Sequence, residues 1–213
     1  MKLFDMKVKD FINELASSSP APGGGSVSAL AGANGCGLLC MVGSLSVTKK
    51  KFKSLDDKIQ EVYHKKIELF QSNKEQFINF IDEDTEAFNQ LMNAFRLPKE
   101  NDEEIAYRQN EIDKATLSCI KVPLKVCALA LESLREVEDL IKYSNKNTIS
   151  DQGVAVLMLY SSIEGAAMNV IINLSGLDDD ILKKNYQDIV EEILFETEKL
   201  KDKLLEEVKY LMN

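Results

Sequence analysis

SSSPAPGGGSVSALAGANGCGLLCMVGSLSV, residues 17–47, holds no charged side chain, in a chain of which 29% is Asp, Glu, Lys or Arg. It is long enough for a membrane-spanning helix, so the choice between a membrane protein and a helical bundle in water turns on it. Gly23, Gly24, Gly25, Gly32, Gly35, Gly37 and Gly43, with several serines and Asn34, leave it poor in large apolar groups, and its hydropathy is weak for a span. Small residues along a helix let other backbones approach closely. The stretch is therefore read as a glycine turn feeding a central helix, surrounded by protein on every side, with no membrane partner.

The sequence outside that stretch agrees. With 213 residues, 45% of them hydrophobic, the chain can bury one substantial core, so residues 1–213 are expected to form a single domain. Twenty-six basic against 35 acidic residues give a net charge of −9, which repels nucleic acid and anionic lipid. The opening MKLFDMKVKDF lacks the apolar core and cleavage site of a secretory signal, and a cytoplasmic location is expected. Cys36, Cys40, Cys119 and Cys127 fall in apolar runs without zinc-like spacing and read as buried, reduced thiols. His64, beside Lys65 and Lys66, reads as a surface residue. No metal and no tightly bound cofactor is indicated.

Only four prolines and ten glycines interrupt the chain. Helical periodicity predicts a short amphipathic segment over Val8–Ala16 and a helix starting near Ser26. Long helices follow over Ser54–Phe95 and Asp102–Ile141, the second kinked at Pro123. A further helix, apolar on nearly all sides, runs from Ser150 or Asp151 to Leu174, and a last one over Asp178–Met212. No segment alternates like a strand. The fold class expected is an all-α, up-and-down bundle of long helices, which places ligand sites between facing helices or at their mouths.

Four features carry chemistry. Gly23–Ser26 precedes a helix start, where free backbone N–H groups suit an anion or serve simply as a turn; the lysine of a phosphate-binding loop is absent. In the long helix, steps of four and three from Tyr63 give Ile67, Phe70, Lys74, Phe77, Ile81, Asp84, Phe88, Leu91 and Phe95. Asp84 stands where a hydrophobe belongs. A carboxylate in an apolar seam has its charged form disfavoured, which suits proton transfer near neutrality; the alternatives are a register-fixing polar residue, or snorkelling of the kind open to Lys74. Asp82, about 200° around the helix, is expected closer to solvent. Ala155, Leu159, Ser162, Ala166, Asn169 and Asn173 form a stripe of mainly small and polar side chains, suited to a flat ligand or to close packing with hydrogen-bonded amides. Lys49, Lys50, Lys51 and Lys53 form a basic turn, either solvated or attractive to an anionic tail.

SPAPGGGSVSALAGANG (19–35), IDEDTEAFNQLMNAFRLPK (81–99), VPL (122–124) and NKNTISDQGVAVLMLYSSIEGAAMNVIINL (145–174) together resemble the formiminotetrahydrofolate cyclodeaminase and methenyltetrahydrofolate cyclohydrolase family, in order over most of the chain. The resemblance implies a homodimer acting on one-carbon units of tetrahydrofolate, with a folate derivative as substrate. By position it implies Asp84 as the catalytic carboxylate; given that role, Asp82, as a second catalytic candidate, or Asp151 is expected to hold substrate or water. It also implies that Gly23, Gly24, Gly25, Ser26, Asn145, Asn147, Asp151 and Asn169 line the folate site, while Lys49 and Lys50 would meet the glutamate tail. Thr48 and Ser144 depart from the family's glycines and touch loop geometry. Cyclodeamination of 5-formiminotetrahydrofolate to 5,10-methenyltetrahydrofolate and ammonia would need a separate formiminotransferase to supply substrate. Cyclohydrolysis of 5,10-methenyltetrahydrofolate to 10-formyltetrahydrofolate is the alternative. A rival of another class is a non-catalytic helical folate-binding or interaction protein, in which Asp84→Leu would be tolerated.

Overall fold

The computed structural model describes residues 2–213, and among these there is no strand. The α-helices are α1 (Val8–Leu15), α2 (Gly24–Val47), α3 (Lys50–Lys53), α4 (Asp57–Phe95), α5 (Asp102–Arg135), α6 (Val137–Tyr143), α7 (Ile149–Asn173) and α8 (Asp180–Met212). Local chemistry sets their starts. Asp56, Asn101 and Asp179 each precede a long helix and accept a first-turn backbone N–H, from Lys58, Glu104 and Leu182 respectively, all at 2.9 Å. Pro98 follows the end of α4, where it cannot continue a helix.

α2, α4, α5 and α7 form the bundle: α2 and α5 each pack against both α4 and α7. Neighbours run antiparallel. Gly25 meets Asp84 and Gly43 meets Ile67 along α2 and α4. Asn73 bonds Ser133 across α4 and α5, Cys127 bonds the Ile163 carbonyl across α5 and α7, and Gly35 abuts Leu159 across α7 and α2. α8 lies on the outside, against α7 and α5. α4 spans about 58 Å and α2 about 36 Å, so α4 beyond Ala87 and the start of α5 project as a two-helix arm past the point where α2 begins. Asp84 sits at that mouth.

The glycines of α2 do what close packing requires: a Cβ on Gly32 would lie 2.6 Å from the Phe77 ring and one on Gly43 2.5 Å from Ile67. One expectation is overturned. α2 is not covered on every side: Val27, Met41 and Leu45 are exposed, as are Val154, Leu157, Met168, Ile171 and Ile172 of the adjoining α7. Gly24–Val47 and Lys146–Gly176 are long and apolar enough to cross a membrane; here they pack side by side and share this uncovered face.

Several boundaries shift. α2 starts at Gly24, two residues before Ser26. The helix expected from Ser54 begins at Asp57, because Lys50–Lys53 coil separately to bury Phe52 against Tyr63, with ring centroids 4.8 Å apart. The helix expected over Asp102–Ile141 continues through Pro123 and breaks instead at Glu136. Proline removes the N–H that would serve the carbonyl four residues back, here Cys119, and Asn173 Nδ2 donates to that carbonyl at 2.8 Å. The cross-helix amide replaces the bond the proline deletes.

Candidate functional site

At the mouth of the bundle, the first turn of α2 lies against the late part of α4. Its N-cap, Gly23, has no side chain to serve the first backbone N–H groups. Asp84 of α4 does so from across the bundle: its carboxylate accepts from the Ser26 backbone N–H and from the Ser26 hydroxyl, the latter at 2.9 Å. A carboxylate at the positive end of a helix is electrostatically favoured. The contact is close because Gly25 lacks a Cβ; one there would stand 2.0 Å from Asp84 Oδ1.

Two opposed influences act on Asp84. Burial pushes its carboxyl above the usual range, and the two Ser26 hydrogen bonds pull it back part of the way. Ser26 Oγ, itself fully buried, also lies 3.0 Å from the Ile81 carbonyl and 3.2 Å from Thr85 Oγ1. Cys119 of α5 faces the same carboxylate; its thiol is pushed up to about 11, first by burial and then by the Asp84 charge. The seam thus holds a partly exposed acid with a raised proton affinity and donors arranged for its ionised form. That arrangement can take up and return a proton.

The residues expected at one site fall into two groups. Gly23, Gly24, Gly25, Ser26, Asp84 and Asn169 gather at the mouth: a Cβ on Gly24 would be 3.0 Å from Asn169 Nδ2, which itself donates to the Gly165 carbonyl at 2.8 Å. Lys49, Lys50, Asn145, Asn147 and Asp151 lie at the opposite end of α2. There the Asn145 N–H donates to Ser46 Oγ at 2.8 Å, twenty residues and about 30 Å along the helix from Ser26. A single chain does not bring the two groups together, because α2 runs the full depth of the bundle between them.

Two residues differ from expectation. Ser26, expected to touch substrate, has its side chain turned inward, bonded to Asp84. Asp82, expected near solvent and in the reaction, accepts the Leu3 N–H at 2.7 Å, and its other oxygen is buried without a protein partner. The N-terminal turn Leu3–Asp5 packs on α4 there and leaves Asp82 half-buried. Within Gly23–Ser26, Asp84 already stands against one side of the helix terminus. Lys74 snorkels, lining an apolar groove of about 730 Å³ under α1 with its Nζ 3.0 Å from Glu75.

Sequence reading missed the anchor of the distant group. Tyr63 Oη and Ser144 Oγ bond at 2.7 Å, both buried, and with Ser46 they tie α4, α2 and the Asn145 turn together. Ser144, which stands where the family resemblance expects glycine, supplies one of these hydroxyls. All four cysteines are unpaired and His64 is exposed.

A family model described as formiminotransferase-cyclodeaminase matches residues 7–192. A methenyltetrahydrofolate cyclohydrolase of Methylorubrum extorquens is 36% identical over 206 residues, covering 97% of each chain. The formimidoyltransferase-cyclodeaminase of Rattus norvegicus is 30% identical over 194 residues, 91% of this chain and 35% of that one; the chain thus spans about a third of that relative's length. In fold, the crystal structure of formiminotetrahydrofolate cyclodeaminase from Thermotoga maritima matches with a TM-score of 0.79 at 24% identity, over 99% of this chain and 98% of the other.

Proposed function

The chain belongs to the formiminotransferase-cyclodeaminase family, and on that basis we propose that it works on the one-carbon unit between N5 and N10 of tetrahydrofolate, with Asp84 as proton carrier. The observation that carries this reading is the Asp84 carboxylate itself, buried enough for a raised proton affinity yet held in place by the first turn of α2.

In cyclodeamination, N10 attacks the carbon of the protonated formimino group on N5 and loses its proton, which the ionised Asp84 accepts. A tetrahedral carbon then carries N5, N10 and the amino group. Asp84 returns the proton to that amino group, ammonia departs with its electron pair, and the methenyl cation remains facing the ionised carboxylate. In cyclohydrolysis, water attacks the methenyl carbon and gives its proton to Asp84. The proton passes to N5 as the C–N5 bond breaks, and the hydroxyl on that carbon releases its remaining proton to solvent as it becomes the formyl C=O, leaving 10-formyltetrahydrofolate. One acid–base group serves both. The end-to-end match to the Methylorubrum extorquens cyclohydrolase favours the second reaction as a reading in its own right.

Two observations support a homodimer. The uncovered apolar face of α2 and α7 needs a partner surface. A two-fold axis across that antiparallel pair would bring the Asp84 end of one subunit toward the Lys49, Asn145 and Asp151 end of the other, joining both groups at one folate. Lys49 and Lys50, exposed in the basic turn, would then meet the glutamate tail. The unpaired cysteines suit a reducing cytoplasm.

The test is absorbance of methenyltetrahydrofolate, followed as formation from 5-formiminotetrahydrofolate and, in parallel, as accelerated loss. Formation with ammonia release identifies the first reaction, and loss alone the second. Asp84→Asn should remove either; a wild-type protein silent in both assays overturns the enzyme reading.

A further inference from the structure

A carboxylate that cycles between acid and base needs a partner in both states, and a fixed N–H donor serves only the ionised one. Ser26 Oγ is placed differently. It has one proton to donate and lone pairs to accept with, and three polar atoms surround it: Asp84 Oδ2 at 2.9 Å, the Ile81 carbonyl at 3.0 Å and Thr85 Oγ1 at 3.2 Å. We propose that Ser26 is a positioning residue for Asp84, whose hydroxyl rotates between donor and acceptor so that the carboxyl group keeps one place through its proton cycle. This rests on the reading of Asp84 as proton carrier.

With Asp84 ionised, the Ser26 O–H donates to Oδ2 and the Thr85 hydroxyl donates to Ser26 Oγ. With Asp84 protonated on Oδ2, that O–H donates to Ser26 Oγ, and the serine proton turns to the Ile81 carbonyl. No heavy atom moves and no proton crosses Ser26; the proton carried is the one exchanged with substrate. The Ile81 carbonyl, within α4, loses nothing when the serine turns away, because it retains its place in the helical ladder. Ser26 is fully buried, so its hydroxyl is held for this cluster and not for solvent.

Other groups around Asp84 do not duplicate the role. α2 contributes only Gly25 and the Ser26 N–H, a fixed donor that suits the ionised form alone. From α5, Cys119 faces the carboxylate as a thiol that stays protonated through neutrality. From α7, Asn169 stands behind Gly24 with its amide already donating to Gly165. On α4 itself, Asp82 is engaged by Leu3, Glu83 lies 3.9 Å from Lys125, and Glu86 accepts from Gln90 at 3.2 Å.

The experiment follows the Asp84 side-chain carbon by NMR in protein labelled with 13C-aspartate, the resonance being assigned by its loss in Asp84→Asn. In Ser26→Ala the titration midpoint should move upward, since a hydrogen bond to the charged form is worth more than one to the neutral form. kcat should fall about tenfold with KM little changed, and Ser26→Thr, which keeps the hydroxyl, should restore the wild-type midpoint. Ser28→Ala, which removes a bond to the Gly24 carbonyl in the same turn, controls for loosening of the helix start and should leave the midpoint in place. A midpoint unmoved in a folded Ser26→Ala protein overturns the proposal. A rise in KM at constant kcat also overturns it, because it would make Ser26 a substrate contact. The NMR readout needs no turnover, so a protein inactive on folates would defeat the functional reading while the Ser26 assignment is judged separately.

Discussion

Gly25→Ala should inactivate the enzyme while leaving it folded. The new Cβ would fall 2.0 Å from Asp84 Oδ1, 2.5 Å from Cγ and 2.7 Å from Oδ2. Ordinary contact begins near 3.4 Å, so the carboxylate must retreat by about 1.4 Å, and its 2.9 Å bond to Ser26 breaks. A displacement of about 1 Å at a reacting group costs on the order of 100-fold in rate, so kcat should fall by about that factor. Overpacking costs about 1–3 kcal/mol, partly offset by the higher helix propensity of alanine, at most about 1 kcal/mol. The net cost, at most about 3 kcal/mol, lies below the roughly 5–15 kcal/mol by which a domain is ordinarily stable, so the protein should stay folded. The assay pairs methenyltetrahydrofolate absorbance with denaturant unfolding, and Gly37→Ala is the stability control. Gly37 shares the helix, but a Cβ added to it would meet nothing within 4 Å, so alanine there should stabilise by up to about 1 kcal/mol. A Gly25→Ala enzyme within about threefold of wild-type kcat would refute the requirement for a fixed Asp84.

Three further outcomes follow from named contacts. Because Asp84's proton affinity is raised on folding, its protonation stabilises the fold; that contribution is present below the usual carboxylate range and lost as pH rises through the folded value. Asp84→Asn, which still offers Ser26 an acceptor, should therefore match or exceed wild-type Tm near neutrality, and a clear loss of Tm there would contradict the burial argument. Asn173→Ala should destabilise by about 1–3 kcal/mol by orphaning the Cys119 carbonyl, and by much less in a Pro123→Ala background, where the helix can serve that carbonyl itself; equal costs in the two backgrounds would break the link. The proposed dimer predicts that Leu157→Glu, on the exposed face of α7, gives monomers by analytical ultracentrifugation, whereas an unchanged dimer would move the interface elsewhere.

The separate α3 and α6 were not legible in the sequence, whereas the long helices, their order along the chain and the anomaly at Asp84 were. Those are properties of periodicity and capping: a carboxylate three residues past Ile81 in a stripe of Phe70, Phe77 and Ile81 faces inward whatever it meets. The four ordered motifs added the family. What Asp84 meets came only with the packing of the helices. The register of α2 against α4 sets it against the start of another helix and places the buried Ser26 hydroxyl beside it. The same holds for Asp82, drawn to Leu3 from 79 positions away, and for Asn173, whose amide answers a proline 50 residues earlier. Most of all, the α2 helix separates Gly23–Ser26 from Lys49 and the Asn145 turn by its own length. Sequence motifs name residues without distance, and helix periodicity says which face a side chain takes but not which helix lies opposite, because that depends on how whole faces pack.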